Sequence, residues 1–114
     1  LGTPLMVQIG SCGAIRSGIE PGSIMVPDRI AARDGLSPLY GAGAEVVPSP
    51  RWCDRAARAV MRRGLRALQG PHLTWPSLFA QSDAMCDSWR EEGLLTVDME
   101  ASAVVAVAER WGSE

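Results

Sequence analysis

The sequence has few cysteines, no lysine and only short apolar runs. Its cysteines, Cys12, Cys53 and Cys86, lie far apart without a Cys-x-x-Cys pair. Neither a zinc site nor a disulfide framework is therefore predicted, and we expect a reducing, cytoplasmic environment. The longest apolar run near the end, residues 103–108, is much shorter than the ~20 residues of a membrane-spanning helix. No transmembrane segment is predicted.

Positive charge is not in excess. Eleven basic residues, all arginine, stand against thirteen acidic ones and leave a net charge of −2. Such a chain has no overall positive field for nucleic acid or an anionic membrane, so neither is expected as a partner. Any phosphate must be bound by local groups. The 114 residues have room for one core, and we predict a single domain over residues 1–114.

Short apolar runs between turn residues predict strands. Residues 5–9 are almost continuously apolar, which is typical of a central strand buried on both faces. Further strands are predicted over residues 23–27, 72–80 and 93–97. The first run begins almost at the start of a chain whose first residue is Leu1. We therefore expect the chain to begin and end inside a larger domain.

Two segments have helical spacing. Ser49 and Pro50 supply an N-cap and a first-turn proline for a helix predicted to reach Gln69, and residues 100–111 form the second. Arginines in the first helix recur at steps of three and four residues, which favours a solvated face over a nucleic-acid patch. Strands and helices alternate. The predicted fold is α/β, a central mixed sheet flanked by helices.

Four short features could form one site: the turn 10–13, the corner 33–35, the loop 82–85 and the acids beside Met99. The backbone N–H groups of the turn and the Ser11 hydroxyl can donate hydrogen bonds to an anion, although a structural turn has the same composition. Asp98 and Glu100 stand where a strand meets a helix. A carboxylate there can cap the helix, worth ~0.5–2 kcal/mol, or accept sugar hydroxyls at ~1.5–3 kcal/mol each. Each acid could perform one of these tasks.

Four motifs follow one another along the chain. They are Val7-Gln8-Ile9-Gly10-Ser11-Cys12-Gly13-Ala14, Pro21-Gly22-Ser23-Ile24-Met25-Val26-Pro27, Arg33-Asp34-Gly35 and Val97-Asp98-Met99-Glu100-Ala101-Ser102-Ala103. In order and spacing they resemble the nucleoside phosphorylases that include uridine phosphorylase and hexameric purine nucleoside phosphorylase. The resemblance covers about residues 5–112 and corresponds to the middle of the family's domain. It implies a partial, incomplete nucleoside-phosphorylase-like domain.

The resemblance also implies roles for matching residues. Gly10 and Ser11 would bind phosphate, and Glu100 would be the catalytic acid that accepts the 2′- and 3′-hydroxyls of ribose. Met85 falls where the family usually has an aromatic residue beneath the base. The implied substrate-binding residues are Ser11, Cys12, Gly13, Met85, Asp98, Met99 and Glu100. The implied reaction needs no metal and no organic cofactor, with inorganic phosphate as co-substrate, and the implied assembly is a homo-oligomer.

One departure keeps a second reaction open. The phosphorylases usually carry an arginine where this chain has Gln8, and related nucleosidases, which cleave the same bond with water, lack that arginine. The family's amino-terminal phosphate loop and the acid that assists the leaving base have no counterpart in these residues. Three functions therefore follow from the sequence: a nucleoside phosphorylase, a hydrolytic nucleosidase of the methylthioadenosine/S-adenosylhomocysteine type, and an inactive nucleoside-binding fragment.

Overall fold

The computed structural model describes residues 2–114. Its elements are β1 (Gly13–Ala14), β2 (Ile24–Ala32), the 3-10 helix η1 (Ser37–Tyr40), β3 (Glu45–Val46), α1 (Pro50–Arg62), β4 (Ala67–Thr74), α2 (Asp83–Glu91), β5 (Thr96–Asp98) and α3 (Ala101–Arg110). Within these residues the strands form one five-stranded mixed sheet. The predicted α/β fold, a mixed sheet flanked by helices, is confirmed. No helix in residues 2–114 is long and apolar enough to cross a membrane.

The strands follow the order β1-β5-β4-β2-β3. β4 runs parallel to both of its neighbours, β2 and β5, whereas the edge pairs β1–β5 and β2–β3 are antiparallel. In the parallel part, Ala32 is opposite Thr74, and Thr74 is opposite Asp98. The carboxyl ends of three strands therefore meet at one end of the sheet, which is where ligands bind in open α/β sheets.

The two faces of the sheet have different contents. One face carries an apolar cluster that includes Leu73, Trp89 and Val97. Successive residues of a strand point to opposite faces, so His72 and Thr74 lie on the other side of β4 from Leu73. That second face carries an apolar cluster containing Ala106 of α3, and next to it a set of buried polar side chains.

Residues 5–9 do not form the predicted central strand. They belong to no ladder of the sheet, and Val7 and Ile9 are 72% and 92% exposed. The N–H of Met6 instead donates to the carbonyl of Glu114 at 2.8 Å. A buried strand needs partners on both edges and layers on both faces, and residues 2–114 place neither around this run. The segment is as apolar as a buried strand, but the prediction of a strand at this place is wrong.

The predicted helix from residue 50 to 69 is too long. α1 begins at Pro50 as predicted, but it ends at Arg62, because Gly64 adopts a left-handed φ of 73° that turns the chain. The next residues enter the sheet as β4, which stops at Thr74 instead of Ala80. The arginines predicted to form a solvated face are exposed: Arg55, Arg58 and Arg62 on α1, and Arg66 between α1 and β4.

Other boundaries move in the same way. β2 does not close at Pro27 but continues to Ala32 past an irregular register between Pro27 and Arg29. The loop predicted at residues 81–85 is the start of α2, whose N-cap Ser82 accepts the Met85 N–H at 3.3 Å. The predictions for the last strand and the last helix are confirmed, with ends shifted by a few residues.

Candidate functional site

A buried polar network fills the space between the sheet and α3 at the carboxyl ends of β4 and β5. The Thr74 hydroxyl donates to Asp98 Oδ1 at 2.8 Å, and His72 Nε2 lies 3.0 Å from the same oxygen. His72 Nδ1 is 2.7 Å from the Thr96 hydroxyl. A carboxylate oxygen only accepts hydrogen bonds, so the proton between His72 and Asp98 belongs to Nε2. This network joins β4 to β5 through side chains as well as through the backbone.

The same network caps α3. Asp98 Oδ2 accepts the N–H of Ala101 at 2.9 Å, and the Thr74 hydroxyl oxygen accepts the N–H of Ser102 at 3.0 Å. The first N–H groups of a helix have no partner within the helix, so a nearby side chain must satisfy them. Asp98 therefore performs the capping task that the sequence left open between the two acids.

Glu100 occupies the N-cap position of α3, but its side chain does not cap the helix. Within the described residues its side chain makes no capping hydrogen bond, and the residue is exposed. The N-terminus of a helix is also the positive end of its dipole, which favours a carboxylate at this place. Because Asp98 and Thr74 already satisfy the helix end, the Glu100 carboxylate is left available for a ligand.

Asp98 is held in its charged form. Burial raises the pKa of its carboxyl, but the hydrogen bonds from His72 and Thr74, the His72 charge and the Ala101 N–H together lower the pKa below its ordinary value. Both carboxylate oxygens already accept hydrogen bonds from protein donors. The geometry therefore gives Asp98 an anchoring task at the base of the site.

The Arg33-Asp34-Gly35 corner is anchored in the same layer. Asp34 accepts hydrogen bonds from the Ser37 hydroxyl at 2.6 Å, from the Ser37 N–H at 2.7 Å, and from the Leu36 N–H and the Ser102 hydroxyl. Burial acts to raise the pKa of Asp34, yet these donors lower it to about 2. Asp34 therefore connects η1 to α3 through hydrogen bonds. The Arg33-Asp34-Gly35 corner thus has a structural role next to the start of α3.

The small-residue turn lies beside the start of α3. Gly13 is opposite Val97 in the antiparallel pair, so the residues before Gly13 run along β5 towards its carboxyl end. Burial raises the pKa of the Cys12 thiol, the nearby Thr96 hydroxyl lowers it, and the Asp98 charge raises it again, with a net upward shift. Cys12 is therefore a neutral thiol beside the capping network.

The register of β1 with β5 places the turn and the acid pair at the same end of the sheet. Ser11 and Glu100 are both exposed there. Two hollows in the surface, one along α1 and one beside Arg16 and Arg90, are lined by other residues. The candidate site is therefore an open surface of this chain, and its residue assignments stay predictions.

Met85 and Gln8 lie in different surroundings. Met85 is on α2 and packs against the apolar cluster around Trp89 and Leu94, on the face of the sheet away from α3. These contacts are those of a core residue. Gln8 is exposed within the segment that forms no strand.

Sequence reasoning missed the polar layer itself: His72, Thr74, Thr96 and Ser102. A signal was present, because His72 and Thr74 alternate with the fully buried Leu73, as Thr96 and Asp98 alternate with Val97. Two polar residues at period two in neighbouring parallel strands share one face. Recognising them requires the strand pairing, which the sequence alone did not supply.

Comparison with known proteins defines the class. Residues 1–113 match the phosphorylase superfamily, and the chain belongs to that superfamily. This confirms the resemblance that the four motifs carry.

The relatives are similar over nearly all of the chain. A guanosine phosphorylase of Halorubrum lacusprofundi is 27% identical over 113 residues, which cover 98% of this chain and 47% of that protein. A DeoD-type purine nucleoside phosphorylase of Alkaliphilus metalliredigens is 22% identical, covering 97% and 48%. The chain thus spans about half the length of the curated relatives it matches.

A solved structure has the same fold. The crystal structure of uridine phosphorylase from Vibrio fischeri superposes with a TM-score of 0.82 at 24% identity, covering 91% of this chain and 44% of that one. At this identity the match establishes the fold. It agrees with a partial domain in which the sheet and its helices keep their arrangement.

Proposed function

We propose that the protein carrying this chain is a nucleoside phosphorylase. It would cleave the N-glycosidic bond of a purine or pyrimidine nucleoside with inorganic phosphate, giving the free base and ribose 1-phosphate. The observation that carries the proposal is Glu100. Its carboxylate is exposed at a helix start that other side chains already cap, in a chain that matches the phosphorylase superfamily from end to end.

The chemistry requires two charges to be stabilised. As the C1′–N bond breaks, its electron pair leaves with the base and positive charge develops on the ribose. A phosphate oxygen then forms the new bond to C1′, and a proton reaches the departing base nitrogen. Glu100 would accept hydrogen bonds from the 2′- and 3′-hydroxyls, which fixes the sugar and stabilises the positive charge.

The other residues would line the two ends of the substrate. Gly10 and Ser11 would present N–H groups and a hydroxyl to phosphate. Cys12 and Gly13 would border the base, and Met99, exposed beside Glu100, would cover the sugar. The proton donor to the base has no counterpart in this chain. Catalysis would rest on positioning and electrostatics, with no metal or organic cofactor and with phosphate as co-substrate.

The proposed setting follows from the same reading. The chain would be an incomplete part of one domain, and the whole protein a cytoplasmic homo-oligomer of nucleoside salvage. The superfamily match supports a nucleoside and phosphate as ligands of the whole protein. The exposed Glu100 carboxylate, which makes no capping hydrogen bond, supports the same proposal. The net charge of −2 argues against nucleic acid or a membrane as partner.

Gln8 favours a second candidate, hydrolysis of the same bond. An uncharged amide at this place offers phosphate no compensating charge, whereas attack by water needs none. Glu100 would have the same task in both reactions, because the developing charge on the ribose is the same. The two candidates differ only in the nucleophile.

The experiment compares the products formed with and without phosphate. The intact natural protein is incubated with inosine, guanosine, uridine or methylthioadenosine, and the sugar 1-phosphate and the free sugar are quantified. Phosphorolysis predicts ribose 1-phosphate that depends on phosphate. Free ribose formed equally fast in both conditions would establish the nucleosidase. Binding of nucleoside by calorimetry without any product would leave the inactive binding fragment and overturn both reactions.

A further inference from the structure

His72 is the one histidine of the chain and takes no part in the proposed reaction. It is 3% exposed near the carboxyl end of β4, and both ring nitrogens have partners on β5. Nδ1 lies 2.7 Å from the Thr96 hydroxyl and Nε2 lies 3.0 Å from Asp98 Oδ1. With both nitrogens held, the ring has one orientation.

Burying the His72 imidazole costs free energy, so its presence in β4 calls for a physical reason. A buried polar side chain loses its hydration, and an apolar residue of similar size would fit a buried strand position without that cost. What the imidazole provides is a fixed geometry, because a buried polar network in which every group has a hydrogen-bond partner adopts a single arrangement. The geometry defined here is that of the Asp98 carboxylate.

The Asp98 carboxylate in turn fixes the start of α3. Its Oδ1 is held from β4 by His72 and Thr74, while its Oδ2 accepts the N–H of Ala101 at 2.9 Å. Ala101 follows Glu100 directly, so the peptide between them is fixed by this hydrogen bond. A rotation of the Asp98 carboxylate would release that peptide and move the Glu100 side chain with it.

We propose that His72 is a positioning residue, which holds the Glu100 carboxylate against the ribose through Asp98 and the Ala101 N–H. This inference rests on the proposed function for its effect on catalysis, and its effect on the start of α3 can be measured independently. Displacing a catalytic group by a fraction of an ångström to 1 Å is sufficient to cost up to about a hundredfold in rate.

Two amide substitutions separate the two nitrogens. In His72→Gln the side-chain amide nitrogen can take the place of Nε2 and donate to Asp98. In His72→Asn the shorter amide reaches the place of Nδ1 and faces Thr96 only. We expect His72→Asn to lower kcat by roughly tenfold to a hundredfold with the KM for phosphate unchanged, and His72→Gln to restore most of kcat.

Amide hydrogen exchange tests the same link without using activity. We expect the Ala101 N–H to exchange faster in His72→Asn than in the wild type and to regain its protection in His72→Gln. The N–H of Trp111, which bonds to the Val107 carbonyl at 3.3 Å at the other end of α3, serves as the internal reference. Equal Ala101 protection in all three proteins, or equal kcat in folded wild type and His72→Asn, would overturn the proposal.

The outcomes distinguish this inference from the proposed function. If the wild type cleaves no nucleoside but Ala101 protection follows the donor at Nε2, the positioning link stands and the proposed function fails. If His72→Asn does not fold, Thr96→Val replaces it, because it keeps the imidazole but removes the Nδ1 partner that holds the ring in one orientation. That variant should reduce kcat and Ala101 protection in the same direction, and wild-type values for both would overturn the link.

Discussion

The carboxylate of Asp34 accepts a hydrogen bond from the hydroxyl of Ser102, a residue 68 positions further along the chain. Asp34 lies two residues after the end of β2, and Ser102 is fully buried in the first turn of α3. The corner after β2 is thereby joined to the helix that presents Glu100. The ionised Asp34 carboxylate should therefore contribute to the acid-dependent part of the stability.

The charge of Asp34 makes the fold sensitive to acid. Its pKa is about 2 in the folded chain against an ordinary value of 3.8. A depressed pKa stabilises the folded state above the unfolded pKa, and this contribution of roughly 2 kcal/mol is lost as the pH falls from 4 towards 2. Asp34→Asn should lower the free energy of unfolding by a similar amount at pH 7 and flatten the acid dependence, as measured by urea denaturation at several pH values.

The matched control for Asp34 is Asp28→Asn, a change at an exposed position of β2. It should alter the free energy of unfolding by less than about 0.5 kcal/mol. An Asp34→Asn protein with the wild-type acid profile would contradict the assigned role.

Glu100→Gln tests the proposed ribose acid. We expect kcat/KM in the intact protein to fall by about two orders of magnitude, which corresponds to roughly 2.7 kcal/mol, because a neutral amide stabilises the developing positive charge poorly. The melting temperature should stay at the wild-type value, since Asp98 and Thr74 cap α3. Glu109→Gln, an exposed change on the same helix, is the control. Unchanged turnover in Glu100→Gln would remove this residue from the site.

Leu73→Ala tests the face of the sheet away from α3. Leu73 has no exposed surface and packs in the cluster with Trp89 and Val97. Removing its side chain should lower the free energy of unfolding by about 2–5 kcal/mol through lost burial and the remaining cavity. Leu78→Ala, at a residue 62% exposed, should change it by less than about 0.5 kcal/mol. Equal losses in both variants would show that the cluster does not contribute as the packing indicates.

Gly70→Ala tests a backbone conformation in the middle of β4. Gly70 has a φ of 152°, and a Cβ there would lie 2.6 Å from Leu95 Cδ1. Strain in the backbone and this contact should together cost about 1–3 kcal/mol of unfolding free energy. Gly43→Ala is the control, because a Cβ at Gly43 meets no atom within 4 Å among the described residues. When Gly70→Ala is combined with Leu95→Ala, the part of the unfolding free energy that was lost through the contact should be recovered, and the part lost through backbone strain should not. If the losses of the two single variants simply add in the double variant, the contact is excluded.

Local signals in the sequence explain what could be predicted. The start of α1 is marked by Ser49 and Pro50, and the junction of β5 and α3 by two acids in an apolar stretch. Both are helix starts: Pro50 has no N–H that needs a partner, although the Ser49 side chain makes no capping hydrogen bond, and Asp98 accepts the Ala101 N–H at the start of α3. The order and spacing of the four motifs predicted which segments belong to the candidate site. No single turn or acid pair could have predicted this.

The remaining features depend on partners distant in sequence. Residues 5–9 have the apolar pattern of a buried strand but meet no ladder within residues 2–114. The Arg63-Gly64 turn ends a helix whose apolar periodicity continues into β4. His72 and Thr96 gain their meaning only from the parallel register that places them side by side.

The pairing of Gly13 with Val97 has a consequence for the order in which the protein forms during synthesis. The small-residue turn is synthesised before the strand that fixes it, because Gly13 precedes its partner Val97 by 84 residues. Closing so large a loop carries an entropic cost that only the completed β4–β5 pair can offset. Nascent chains that stop before Thr96 should therefore have an unformed turn, and this end of the sheet should form only after β5 has been synthesised.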